Sequence, residues 1–514
     1  MMRKYLLFIL CSVAIAVSGQ STYEVARFFE PDLAGTARFI GMGGAMSALG
    51  ADVSVMSTNP AAIGLYRNGD VSLSAGLSFL DVTSKYNGNE VKSSKSSFFI
   101  DNVGMVFANE MDEGIFHFVN IGINYKRRNN LSREFAMAGM SLGFSQMFQM
   151  KELYKNNAFD VDNMHYTDYT SCNYSWLALL AADGGLLTSY QDGDVVKTDL
   201  ALLPDDNHSQ IYSSRESGGI DEVDINFSCN IDDRVFLGIT LATHHVDYSR
   251  YSYYGEDDSY GEIYTLQNWF ETHGDGFDFK IGAVWRPWYE SSFKLAFALH
   301  SPTWYNLTDC MSAAISGLPD EKGTPLFMDT QSMDAFGDNY YLDYNLITPW
   351  RYNVAASYLI NKSIALDAEY EYTDNSTAEI EVNGLESIGM KNEFKSNLRG
   401  VHTFRIGAEF LLDKNMSLRC GYNHITAPFK KRASKFMISN VDTNTEYLNR
   451  LETNNITLGL GYRKGAFYFD AAYMLSIKKG NFYTYYDVDY NDMNPATDVD
   501  EIRNKFVMSV GMRF

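Results

Sequence analysis

The sequence predicts an all-β fold, a transmembrane antiparallel β-barrel of about fourteen to sixteen strands. Three observations carry that prediction: an export-type start, period-two alternation running to the last residue, and a polar strand face of glycine, alanine and isolated charges. Met1 to Gly19 opens with Arg3 and Lys4, runs apolar from Leu6 to Val17 and ends in Ser18 and Gly19, the pattern of a secretory signal peptide. Cleavage is expected near Gly19/Gln20. The apolar run is shorter than the roughly 20 residues of a helical span, and the bulky Leu10 before Cys11 argues against lipid attachment there.

The chain of 514 residues carries a formal net charge of −22, so the basic footprint of a nucleic-acid-binding protein is missing. Cys172, Cys229, Cys310 and Cys420 lie far apart, without CxxC or zinc spacing; one or two bridges are compatible with an oxidising compartment, and their connectivity stays open.

From residue 70 onward, segment after segment alternates with the period of a strand whose faces meet different surroundings. Phe277, Phe279, Ile281, Ala283 and Trp285 interleave with Asp278, Lys280, Gly282, Val284 and Arg286. Phe506, Met508, Val510, Met512 and Phe514 alternate with Val507, Ser509, Gly511 and Arg513. A soluble sandwich would expose a broad polar face, whereas this one suits the inside of a closed barrel whose apolar face meets lipid. Trp285, Trp288 and Tyr289, then Trp304 and Tyr305, then Trp350 and Tyr352 sit near strand ends, as interfacial girdles require.

Fifteen segments alternate: 70–80, 98–108, 114–125, 134–146, 222–230, 234–248, 275–287, 292–302, 351–359, 363–372, 402–412, 416–423, 455–463, 466–475 and 504–514. Both termini on the periplasmic side require an even number, and 222–230 is the weakest member. The barrel is thus assigned to 70–514, with extracellular loops at 148–220, 251–273, 306–348, 373–400, 424–452 and 476–502. In the first of these, Tyr174 to Leu187 is an apolar interruption that suits a short helix lining an external groove or a staple within the loop.

Residues 20–69 precede the first strand and are apolar, glycine-rich and nearly uncharged around 37–66. Such a segment at the periplasmic end is costly unless it folds into the lumen as a plug. Gly41, Gly43, Gly44 and Gly50 permit tight turns and close backbone approach, and Asn59 before Pro60 favours an extended or turn conformation.

Catalytic and metal motifs fare poorly. Gly139-Met140-Ser141-Leu142-Gly143 fits G-x-S-x-G but falls inside an apparent strand, where a nucleophile elbow needs a strand-to-helix turn. Met46 stands where a dinucleotide fingerprint needs its last glycine. Asp487, Asp489, Asn491 and Asp498 hint at calcium, yet Asp492 replaces the glycine of the calcium loop. His244 and His245, adjacent on a strand, point to opposite faces and cannot chelate one metal. No cofactor, metal or enzymatic activity is expected.

The series Arg38, Gly41, Met42, Gly43, Gly44, Ala45, Ala48, Asp52, Ser54, Asn59, Pro60, Ala61 resembles the hatch signature of the FadL-type long-chain fatty acid transporters. Lys294 to Leu307, with its Ser-Pro, and His402 to Phe429 resemble strands of the same family. The resemblance implies a fourteen-stranded barrel in the bacterial outer membrane, plugged by a hatch. Hydrophobic molecules would pass passively, often sideways through the wall. It places Phe39, Gly41, Met42, Gly43, Gly44, Asn59, Pro60 and Ala61 in the hatch and substrate path. Implied partners are a hydrophobic ligand, outer-membrane lipid and the barrel assembly machinery at the C-terminal Phe514, with a monomeric state. Haem capture, served by tyrosine-rich loops, and a purely adhesive or structural barrel are the alternatives.

Overall fold

In a computed structural model the described residues are 20–111, 114–141, 143–156, 175–192, 195–202, 208–259, 261–319, 324–330, 340–435, 440–486 and 495–514. The signal peptide expected at 1–19, Cys172, and Asp487, Asp489 and Asn491 of the acidic loop lie outside them.

Fourteen antiparallel strands close into a barrel. They are β1 (Asp70–Tyr86), β2 (Asn89–Glu110), β3 (Phe116–Asn130, then Arg133–Met140), β4 (Ser209–Ile231), β5 (Val235–Asp258), β6 (Gly261–Trp285) and β7 (Lys294–His300, then Trp304–Pro319). The circuit continues through β8 (Tyr340–Ile347, then Arg351–Ile360), β9 (Ile364–Asp374), β10 (Gly400–Leu411), β11 (Met416–Ile425), β12 (Tyr447–Lys464), β13 (Phe467–Tyr483) and β14 (Thr497–Arg513). Pairing of β1 with β14, from Asp70↔Arg513 to Lys85↔Asp498, closes the ring.

The alternation places the faces as the sequence predicts. On β14, Phe506, Met508 and Val510 are exposed outward while Val507 and Ser509 are buried inward. Trp285 lies at the level of Leu295, and Trp304 stands nine residues further along β7. That is roughly 30 Å along the strand, or about 23 Å across a bilayer at the usual tilt, close to the apolar band of such barrels. Both tryptophans are exposed, as the two girdles require. Tyr305 is not part of a girdle: it faces the lumen and is buried.

Two expectations are corrected. The surplus among the fifteen segments is not 222–230, which is the heart of β4 and looks weak only because Glu222, Asp224 and Asn226 face the lumen and are buried there. It arises instead because 114–125 and 134–146 are two halves of the single kinked strand β3, and the second half ends at Met140. In their described residues, three of the six supposed loops, 251–273, 306–348 and 476–502, are largely hairpin extensions. β5 and β6 stay paired to Asp258↔Gly261, and β7 and β8 pair through Met311↔Tyr340. Beyond the bilayer their outward faces no longer need to be apolar, so the alternation fades from the sequence while the ladder continues.

The described part of the loop between β3 and β4 contains helices α3 (Gln146–Asn156) and α4 (Trp176–Asp183). Trp176 to Ala181 are all buried, packed with the inward residues Phe135, Tyr212, Tyr264 and Ile315 at the outer mouth. Among the described residues, the apolar interruption is packed into the outer mouth rather than lining a groove. Residues 20–66 occupy the lumen. They include α1 (Thr22–Val25), α2 (Ala37–Gly41) and two 3-10 turns, Val53–Ser57 and Pro60–Leu65. The segment is not confined to the periplasmic end. Its first residues climb to the outer rim, where the Thr22 amide donates to Glu393 of an external helix, α5 (Ile388–Asn397), at 3.1 Å.

Candidate functional site: the filled lumen and the break in the wall

Residues 36–66 seat themselves through backbone groups. Thr36 caps α2 by accepting from the Phe39 amide, and Asn59 Oδ1 accepts from Ala61 N at 3.1 Å to cap the second 3-10 turn, with Pro60 at its first position. Gly43 and Gly44 take φ of 66° and 78°, a conformation that disfavours a side chain. The turn they make lies flat on β10–β12, where the barrel also carries glycine. A Cβ at Gly43 would sit 2.8 Å from Tyr422 N, and one at Gly41 3.1 Å from Gly459 Cα. Met42 is fully buried against Gly407. Phe39, Gly41, Met42, Gly43 and Gly44 thus form one docked surface. Asn59, Pro60 and Ala61 form a second one against β4–β6, where Asn226 Nδ2 donates to Pro60 O at 3.2 Å and Gly238 and Gly282 leave the necessary space.

Barrel side chains that the sequence did not single out complete the seat. Asp367 accepts from the Ala48 and Leu49 amides at 3.2 and 2.7 Å, and Asn120 Nδ2 donates to the Ile63 carbonyl at 2.8 Å. His300 Nε2 meets Thr58 O at 2.8 Å, and Thr457 Oγ1 donates to Gly41 O at 3.1 Å. Arg38 pairs with Glu409, which also holds Arg419, so the charge in the motif is partnered rather than stranded in the lumen.

The β2–β3 ladder runs from Glu110↔Phe118 only to Asn102↔Lys126. Beyond that point Asn89 to Ile100 pair with β1, with Asp101 a bulge, and Arg133 to Met140 pair with β4, but among the described residues no ladder joins the two. The kink follows from a one-residue register shift at Arg127/Asn129. It is accommodated by Gly218, at φ 100°, and Gly219, where a Cβ would strike the Asp247 and Asn129 carbonyls respectively. Side chains stitch the gap: Asn130 Nδ2 to Ser97 Oγ at 3.0 Å, Lys95 Nζ to Glu134 at 2.9 Å, Ser84 Oγ to Ala136 O at 2.6 Å, and Asn89 Nδ2 to Ala138 O at 2.8 Å.

The N-terminal segment holds the same place from inside. Asp32 N donates to Arg128 O at 3.1 Å, Asn129 Nδ2 to Glu30 O at 2.7 Å, and Asn130 N to Asp32 Oδ2 at 3.1 Å. Three lumen cavities border this segment, of about 30, 100 and 50 Å³. None of the three reaches the roughly 300 Å³ of a small-molecule pocket.

At the outer rim, burial raises the Glu393 carboxyl to about 7, against the Thr22 amide, which favours the charged form. A raised folded pKa means that its contribution is present below the unfolded value and is lost as pH rises through about 7. Amide protection factors at Thr22–Val25 are therefore expected to fall between about pH 4.5 and 7, a dependence that Glu393→Gln should flatten in hydrogen exchange.

G-x-S-x-G turns out to stand at the end of β3, followed by a turn and α3, a strand-to-helix passage after all. Ser141 Oγ lies 3.0 Å from His208 Nδ1, and His208 Nε2 lies 3.4 Å from Glu256. The arrangement serves α3: Glu256 accepts from Gln146 N at 2.8 Å and from Ser145 Oγ at 2.6 Å at the helix N-terminus. Ser141, His208 and Glu256 are all buried, and Ser141 lacks the positive φ of a strained elbow. A fluorophosphonate probe is expected to leave Ser141 unlabelled in the folded protein; stoichiometric labelling would reveal a nucleophile. His244 and His245 diverge as predicted, one buried on Asp278 and the other exposed beside Asp275.

No family model matches the chain, and no curated protein matches it. Solved structures do. A FadL homologue of Pseudomonas aeruginosa aligns at 12% identity and a TM-score of 0.55, over 95% of this chain and 100% of that one. The TodX monoaromatic hydrocarbon channel, in a deltaS2 mutant form, aligns at 11% identity and a TM-score of 0.53, over 94% and 100%. In fold, the protein is similar to the barrels of the FadL homologue and the TodX channel.

Proposed function

We propose that the protein is an outer-membrane channel for passive uptake of hydrophobic small molecules of fatty-acid-like chemistry. Residues 20–69 act as its hatch, and exit runs sideways through the wall between β2 and β3. The observation that carries this reading is the bonding of Glu30–Asp32 to Arg128–Asn130, which ties the segment filling the lumen to the place where the wall lacks a ladder. A shift of the segment would release both at once. Lateral exit is physically sensible, because it delivers an apolar solute into hydrocarbon without crossing water. Both similar structures carry names of the same class, one a FadL homologue and the other a hydrocarbon channel. In this reading Phe39, Gly41, Met42, Gly43, Gly44, Asn59, Pro60 and Ala61 are hatch residues, the protein works as a monomer, and Phe514 is read by the assembly machinery.

The test is uptake by cells of an otherwise uptake-deficient host, supplied with a radiolabelled long-chain fatty acid or a monoaromatic hydrocarbon. Protein-dependent accumulation of at least one is expected, lost or made ungated by Asn59→Ala/Pro60→Ala. No accumulation of either, together with a saturable absorbance shift on haemin titration, would replace the proposal by haem capture. No accumulation and no haemin binding would leave an adhesive or structural barrel.

A further inference from the structure

The outward face of β8–β11 carries a recess of about 560 Å³. Its floor is made of four small side chains on neighbouring strands, with Ala356 opposite Ala368 and Ala408 opposite Cys420. Tyr358, Leu366, Ile406 and Tyr422 stand around it, all exposed. Directly behind the floor, Gly407 and Gly421 pair across β10 and β11 and face the lumen, where the Met42–Gly43 backbone lies against them. The wall is one backbone thick here. Glycine on the inside is explained by the docked segment; alanine and cysteine on the outside are not, because that face meets only the bilayer.

A bilayer leaves no void beside a protein, since an unfilled notch forfeits dispersion contacts with hydrocarbon on one side. A straight chain fills a narrow notch better than a loosely packed annulus does. The rim below the recess supplies the second observation. The short turns at 361–363 and 412–415 mark the periplasmic end and carry Lys362 and Lys414, both exposed and forming no ion pair among the described residues. Asp413, the acid next to Lys414, is engaged in its own turn, accepting from the Asn415 and Met416 amides at 2.7 and 2.8 Å. The two turns are two strands apart, roughly 10 Å, a separation that a phosphate can bridge. Leu366 lies four residues from Lys362 and Cys420 six from Lys414, roughly 13 and 20 Å along the strands, within reach of an extended acyl chain.

We propose that this recess is a phospholipid site: one acyl chain of an anionic phospholipid of the periplasmic leaflet lies over Ala356, Ala368, Ala408 and Cys420, with its headgroup between Lys362 and Lys414. Lysine near a membrane surface attracts anionic headgroups, while the notch selects a chain by shape. The site rests on membrane location alone, so a failure of the uptake reading leaves it standing.

Native mass spectrometry of the full-length protein in mild detergent, with added dioleoyl phosphatidylglycerol or phosphatidylcholine, tests it. Wild type is expected to hold one phosphatidylglycerol in preference to phosphatidylcholine. Ala408→Phe and Cys420→Phe, each filling the floor from one side, should lower occupancy at least tenfold. Lys362→Glu/Lys414→Glu should abolish the preference between headgroups and leave phosphatidylcholine occupancy near the wild-type level. Heat-modifiable migration on gels verifies that each variant is a folded barrel. Two phenylalanine variants guard against one failing to fold. Occupancy equal to wild type in a folded filled variant, or no bound lipid in wild type, overturns the proposal. A preference for phosphatidylglycerol that survives the double charge reversal overturns the headgroup assignment.

Discussion

Replacing Gly421 by valine is expected to turn a closed barrel into a leaky one. Gly421 lies on β11 in ordinary strand conformation, where a β-branched residue is welcome. Its missing side chain matters only toward the lumen, where a Cβ would collide with Met42 C and Gly43 N. Both obstacles are backbone, so no side chain can swing aside. Overpacking of this kind costs about 1–3 kcal/mol, and about 1.4 kcal/mol already shifts an equilibrium tenfold. Because the strand itself tolerates valine, the cost falls on the docking of residues 41–44 rather than on the barrel. Single-channel recordings in planar bilayers should change from a quiet baseline to frequent openings, with faster amide exchange at Met42–Gly44 and unchanged heat-modifiable migration. The conservative change at the neighbouring outward position, Cys420→Ser, should be silent in the same recordings. A Gly421→Val protein that stays quiet with those amides protected would refute the seat as drawn.

What the sequence made legible follows from what each residue has to face. Gly41, Gly43 and Gly44 stood out because several glycines in an apolar stretch serve no strand or helix, and the structure places Gly41 and Gly43 where backbone meets backbone. Strand alternation was readable wherever the outward face meets lipid, as on β14, and unreadable on the outer half of β6, where both faces are free to be polar or aromatic. Asp367, Asn120 and Thr457 escaped notice because a single polar residue on an inward face looks like any other lumen position. Their partners Ala48, Ile63 and Gly41 lie 57 to 416 residues away in the chain. The kink in β3 was misread as the end of one strand and the start of another, since Asn129-Asn130-Leu131-Ser132 has the composition of a turn. Only the continued pairing of both halves with β4 reveals a single strand. The apolar character of Trp176–Asp183 was plain, but whether it lines a groove or seals a mouth depends on partners more than a hundred residues away, such as Ile315.

Joining β2 to the upper half of β3 is expected to abolish uptake. Ser97 and Asn130 already face each other across the break, with side chains 3.0 Å apart. Their replacement by cysteines places two thiols at the gap, which a short bis-electrophile can bridge. The covalent link replaces side-chain bonds worth about 0.5–1.5 kcal/mol each, which thermal motion can open, by a tether that it cannot. Among the described residues, the three cavities beside the N-terminal segment hold only about 30, 100 and 50 Å³. A route that must widen is therefore blocked at its hinge even though hatch and mouth are untouched. Uptake should fall to the level of cells lacking the protein after bridging. The unbridged double variant, and the double variant capped with a monofunctional reagent, should retain most of it. The fully bridged protein should still bind cargo from outside, which separates a blocked exit from a lost binding site. Undiminished uptake through a bridged wall would mean that cargo leaves along the barrel axis, with residues 20–69 moving out of the lumen rather than aside within it.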